Sequence, residues 1–285
     1  MSTTAASATT APDAHGSTPR PQRPRWLNVV GVFGVVGLGF TVWLGLWVTP
    51  PDRFQGNLAR LLYIHPAIAT VALYWVGIVA AGGSLHYLWP RTRSLFWDRL
   101  AASAVEVGAV FAALTLVTGS LWGRPVWGVW WTWDARLTST ALLLLLEIGY
   151  LALRRVPADT AVRAKRCAVA ALLVAIDIPI VHFSVQWWNT LHQGGTFLDP
   201  GFKIHASASM SWTFLLGFIA FSLVFVWLLG VRYQIEVLQD AVGDEELEMS
   251  LAERWNEDAE LVGAGTAPER GAGNLIGPSD GAIAP

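Results

Sequence analysis

Trp122 to Arg136 reads WGRPVWGVWWTWDAR. The stretch holds five tryptophans, Trp122, Trp127, Trp130, Trp131 and Trp133, with Arg124 and Arg136 among them and Asp134 near its end. Indole planes stack on large, flat, apolar molecules. Indole N–H groups and a guanidinium fork bind carboxylates at the rim of such a molecule. Tryptophan also favours the headgroup level of a bilayer, where it forms aromatic belts. A belt spreads its indoles over many span ends, whereas here five crowd one segment, so a belt and a binding platform both stay open. Trp127, Trp130 and Trp131 stand at i, i+3, i+4, a spacing that predicts one short interfacial helix carrying all three on one side.

The histidines offer a second chemistry. There are six, of which His15 lies in a polar leader and His86 at the far end of an apolar run. The other four, His65, His182, His192 and His205, fall on the same predicted face as the tryptophans, and Trp187 and Trp188 add two indoles there. A single histidine near a span end is ordinarily a hydrogen-bonding residue. Four beside an aromatic platform suggest a metal, because imidazole is a good ligand for iron. Haem has a flat apolar face, two propionates and an iron that needs one or two axial ligands. Platform, arginines and histidines match those three features together.

The elements that must position these residues are helices in a bilayer. The chain has 285 residues, 53% hydrophobic and 14% charged, well below the roughly 25% charged residues of a soluble domain. Its apolar residues come in runs of about twenty, the length that crosses a hydrocarbon core as helix. Spans are expected at about 27–48, 65–89, 101–122, 137–153, 167–187 and 206–231. The fold class is therefore all-α, a polytopic membrane protein with the Trp-rich segment between the third and fourth helices. Residues 1–25, rich in Ser, Thr, Ala and Pro, read as a disordered cytoplasmic leader, 26–232 as the membrane domain, and 233–285 as an acidic, then Gly/Pro/Ala-rich tail. Fourteen of the nineteen Lys and Arg fall in the leader, in alternate loops and in the tail. That bias predicts both termini in the cytoplasm, with the Trp segment, His65 and the loop carrying His192 on the outer face.

Several chemistries are excluded. Cys167 is the only cysteine, so the chain has no intrachain disulfide and no CxxC pair. Neither lysine, Lys165 or Lys203, follows a glycine, so there is no P-loop. HExxH and GxSxG are absent, and the cations form no stripe suited to nucleic acid.

WGVWWTWDARLTS (Trp127–Ser139) resembles the WWD signature of haem-handling proteins in c-type cytochrome biogenesis. HFSVQWWNTLHQGG (His182–Gly195) resembles a second signature, that of the cytochrome c maturation protein C, or haem exporter protein C, family. The resemblance covers about 26–232. It implies a protein of the bacterial cytoplasmic membrane that binds haem b non-covalently, as cargo, and is not itself an enzyme. It further implies delivery to a membrane-anchored chaperone, protein E of the system, in a complex with the ATP-transporter proteins A and B and the small protein D. His65 and His192 match the axial ligands, although the family reads close to His-Val-Pro where this chain has His65-Pro66. Trp127, Trp130, Trp131, Trp133 and Asp134 match the WWD segment, and His182 accompanies the ligand.

Individual roles leave alternatives. Asp134 can accept an indole N–H, pair with Arg124 or Arg136, or cap the fourth span. Arg124 and Arg136 can hold propionates or headgroups. His205 reads as a capping or interfacial residue. Two other functions stay open: a component of a related WWD cytochrome c synthetase, and an ion or proton transporter built on Glu106, Glu147 and Asp177, ionisable residues within spans.

Overall fold

The computed structural model describes residues 24–52, 55–192 and 208–265. The leader up to residue 23, Arg53, Lys203, His205 and the tail from residue 266 lie outside the described residues. The described chain is helical: α1 (Arg25–Trp43), α2 (His65–Thr70), α3 (Val76–Leu88), α4 (Leu95–Trp127), α5 (Ala135–Arg154), α6 (Thr160–Trp187) and α7 (Ala208–Gly265). A π turn, Leu44–Val48, extends α1; a 3-10 helix, Asn57–Tyr63, precedes α2; and a second π turn, Val71–Trp75, joins α2 to α3. Six of the resulting helices are long and apolar enough to cross a membrane.

Local chemistry sets the helix ends. Ser94 caps α4, its Oγ accepting the Phe96 N–H at 3.2 Å. Gly128 ends that helix in the left-handed region at φ 81°, its N–H bonded to the Arg124 carbonyl at 3.0 Å. Both α4 and α6 run several residues past the apolar spans expected from sequence. Their extra turns are polar or amphipathic, and hydropathy alone does not register them. The last helix also passes the expected end at 231 without a break. Beyond Leu238 the chain forms a second unit; there it is helical to Gly265 and exposes Val242, Leu247, Leu251 and Trp255.

In the first unit, α3 packs against α4 and α6, and α5 packs against the same two helices. One core cluster gathers Ile68, Val71, Val76, Val107, Phe111, Val224 and Phe225. Small residues bring helices close: a Cβ on Gly34 would lie 2.9 Å from Val224 Cγ2, so α1 and α7 approach at that point. The outer surface is apolar, with Phe33, Val36 and Trp47 of the first span and Leu173 and Ile176 of α6 exposed. Water would penalise such a surface and lipid does not. Cys167 packs with Val105, Tyr150 and Ala171.

At one end of the bundle, Arg154 clamps Asp98 through bonds of 3.1 Å and also reaches Glu236 at 2.8 Å. Arg232 pairs with Glu106, one of the three in-span ionisable residues considered from sequence. Glu147 and Asp177 are buried, and their carboxyl oxygens have no hydrogen-bond partner among the described residues.

Candidate functional site

His65 begins α2, with Pro66 in the first helical turn, where the missing N–H of proline costs nothing. Its imidazole lies along α4, and two small residues of that helix make room. A Cβ on Gly119 would sit 3.1 Å from His65 Cε1. One turn later, a Cβ on Gly123 would sit 2.6 Å from the Trp127 ring, which folds back over that glycine. Trp122 meets His65 edge-on at 5.8 Å, and its indole N–H donates to Gln55 Oε1 at 2.9 Å.

His192 approaches from the segment after α6. Trp127 lies against it, ring centres 4.7 Å apart. His65, His192, Trp122, Trp127, Arg136 and His182 thus line one cavity of about 240 Å³. Gln55, Leu73, Tyr74, Gly119, Gly123 and Leu191 complete much of its wall.

The hydrogen bonds assign the tautomers of His65 and His192. Thr118 donates its hydroxyl hydrogen to the Leu114 carbonyl at 2.7 Å, so toward His65 Nδ1, 2.8 Å away, it is an acceptor. His65 therefore carries its hydrogen on Nδ1 and keeps a lone pair on Nε2. Asp134 Oδ2 lies 3.3 Å from His192 Nδ1. A carboxylate only accepts, so His192 also holds its hydrogen on Nδ1 and keeps its lone pair on Nε2. Burial holds the His192 imidazole below its ordinary pKa; Asp134 opposes that shift and Arg136 adds to it. A neutral imidazole is the form that binds a metal.

His182 is held differently. Its Nδ1 bonds the Tyr74 hydroxyl at 2.5 Å, and its carbonyl accepts from Arg136 Nη2 at 2.9 Å. Arg136 is thereby anchored on the last turns of α6 while its side chain lines the cavity.

The Trp segment differs from its expected form. Trp127, Trp130 and Trp131 do not share a helix, because α4 stops at Trp127 and Gly128 turns the chain out of helical geometry. Trp130 and Trp133 are exposed, Arg124 lies over the Trp130 ring at 5.9 Å, and Trp131 meets Trp133 edge-on at 5.5 Å. These residues, like Trp187 and Trp188, do not line the cavity. Asp134 does cap α5, its Oδ1 accepting the Leu137 N–H at 2.8 Å. Its described hydrogen bonds go to neither an indole nor an arginine; its other oxygen turns to Leu191 and His192 instead.

Sequence reasoning did not find Thr118, Tyr74, Gln55 or the two glycines of α4. Thr118 and Tyr74 sit inside apolar spans, and their partners lie 53 and 108 residues away. No local pattern marks such pairs. Gly119 and Gly123 carry the one available signal, a small-xxx-small spacing on α4.

Residues 17–248 match the family model described as "Heme exporter protein C". The chain is 37% identical over 207 residues to "Heme exporter protein C" of Haemophilus influenzae, covering 72% of this chain and 81% of that protein. The protein of that name from Bradyrhizobium diazoefficiens is 38% identical over 237 residues, covering 81% and 84%. A "Putative cytochrome c biosynthesis ccmC-like mitochondrial protein" of Arabidopsis thaliana is 39% identical over 168 residues, covering 58% and 61%.

Proposed function

Because the chain belongs to the haem exporter protein C family, we propose that it holds haem b non-covalently between His65 and His192 and delivers it to a haem chaperone. Haem handling in cytochrome c biogenesis is the family's business, and this chain is a multi-pass membrane member of it. The finer reading rests on one observation. Two histidines far apart in sequence line one cavity, each with Nδ1 engaged and Nε2 free to ligate.

The chain's own groups have separable tasks. The two Nε2 atoms hold the iron of the cargo. Trp122 and Trp127, each edge-on to one histidine, restrict ring rotation and give the macrocycle an apolar wall. Arg136, fixed by the His182 carbonyl, offers its remaining N–H groups to a propionate. A cavity of about 240 Å³ is smaller than the roughly 300–1,000 Å³ of ordinary ligand pockets. It suits the iron and part of the ring, so one edge of the porphyrin projects beyond it. A projecting edge is what a receiving protein can reach. Trp130, Trp133, Trp187 and Trp188 are exposed and supply apolar surface for such a docking step.

The charge bias supports placing this face outside the cytoplasm and both termini inside. The ATP-transporter proteins A and B and the small protein D are the proposed companions of the chain, with protein E as receiver. The test is optical. Purified full-length protein offered haem develops the low-spin spectrum of two imidazole ligands. A protein that stays colourless under those conditions refutes this reading.

A further inference from the structure

Asp134 touches three parts of the site at once. Its Oδ1 accepts the Leu137 N–H at 2.8 Å and so fixes the start of α5. Its Oδ2 lies 3.2 Å from the Leu191 nitrogen and 3.3 Å from His192 Nδ1. The residue is only 9% exposed, so these bonds are little diluted by water. It closes the Trp segment, which makes it the covalent neighbour of one loop and the hydrogen-bonded anchor of another. Leu191 and His192 follow α6 outside its helical geometry, and among the described residues the His192 N–H reaches the hydroxyl of Thr190, at 3.2 Å. Their position therefore depends on this carboxylate.

Resting on the functional reading above, we infer that Asp134 is a positioning residue: it locks His192 in the Nδ1–H tautomer, aims Nε2 into the cavity and raises that nitrogen's donor strength toward the cargo iron. A carboxylate accepting the second N–H of a ligating imidazole makes it a better electron donor. Stronger donation favours the ferric iron and lowers its midpoint potential. The same carboxylate ties the Trp segment to the ligand loop. The WWD aspartate thus serves the iron through His192, while the porphyrin face meets indoles.

The test compares full-length wild type with Asp134→Asn and Asp134→Glu. Asn keeps one acceptor for the α5 cap but presents no carboxylate to Leu191 and His192. Haem binding by Asp134→Asn is expected to weaken by about 10–100-fold, the usual cost of removing a ligand's hydrogen-bond partner. The midpoint potential of its bound haem shifts upward, and Asp134→Glu restores part of both. If folded Asp134→Asn binds haem with the affinity and potential of wild type, the inference is overturned, even though capping still explains Asp134. Wild type that binds no haem removes the functional reading and this one with it.

A second measurement covers the case in which Asp134→Asn does not fold. His192→Ala opens a space that free imidazole can fill, its N–H directed at Asp134. 1-Methylimidazole ligates iron equally well but has no N–H to donate. Restoration of the low-spin spectrum at lower concentrations of imidazole than of 1-methylimidazole is the expected result. Equal restoration by the two overturns the inference.

Discussion

His65 and His192 line the same cavity but rest on different supports. His65 belongs to a helix, lies against Gly119 and donates to a hydroxyl whose own hydrogen is already used. His192 belongs to a non-helical segment, is faced by an indole and donates to a carboxylate. The first is placed by backbone and packing, the second by charge. The contrast teaches that two imidazoles lining one cavity can be held by different means, one through its helix and the other through a single side chain. The two should respond differently to substitutions around them.

The largest expected effect removes the distinction altogether. His65→Ala or His192→Ala abolishes the two-imidazole low-spin spectrum of the haem-loaded protein, and an unchanged spectrum in either variant breaks the pairing. Next comes Gly123→Ala. Its Cβ would fall 2.6 Å from the Trp127 ring, so the indole must leave its place beside His192. Overpacking of this kind costs about 1–3 kcal/mol, and haem titration should show a loss of roughly five- to hundredfold. Gly119→Ala meets His65 Cε1 at 3.1 Å, a contact that slight rotation relieves, so its loss should be visibly smaller. If the two glycine variants are equally impaired, the supports are more alike than the geometry indicates.

Thr118→Val sharpens the comparison from the other side. Valine keeps the shape and deletes the acceptor, leaving the His65 N–H unpaired. The expected loss is about 1 kcal/mol, close to fivefold in haem affinity, with little change in midpoint potential because a neutral hydroxyl donates little charge. A potential shift as large as that of Asp134→Asn would show that the two partners act alike.

The smallest effect concerns pH and the haem-free protein. Burial lowers the His192 pKa below its ordinary 6.5. Above that value the imidazole is neutral whether the chain is folded or not, and its contribution to stability is complete. As pH falls below it, the unfolded chain takes up a proton that the folded chain resists, and stability declines until the lowered folded value is passed. Thermal melts of wild type should therefore lose more stability between pH 7 and pH 5 than melts of His192→Gln. Parallel losses in the two proteins would remove burial of this imidazole as the cause.

The spans were legible because a bilayer imposes a long apolar run on each. Their ends were less so: Ser94 and Gly128 act through caps that hydropathy does not weigh, and the continuation of α7 is too polar for an apolar run to mark it. Gly128 was nevertheless a readable stop signal within the Trp segment, and it overrode the i, i+3, i+4 spacing of Trp127, Trp130 and Trp131. At the site, His65 and His192 stood out through residue type and family signature. The tautomer of each could not be read, because it depends on Thr118 and Asp134 across 53 and 58 residues of intervening chain.

The π turn at Val71–Trp75 makes one demand on any redesign of this protein. Such a turn holds one residue more than the α-helix around it, and each residue advances a helix by about 100° of azimuth. Five residues in such a turn and four in a regular α-helix both sweep slightly more than one full revolution, so deleting a single position there would restore regular winding and leave the segment bearing His65 near its present azimuth relative to α3. The same removal anywhere else in the span would swing one half by a full residue's step against the other, so this turn is the one place where the segment can be shortened with its packing face and its chemical face still in register.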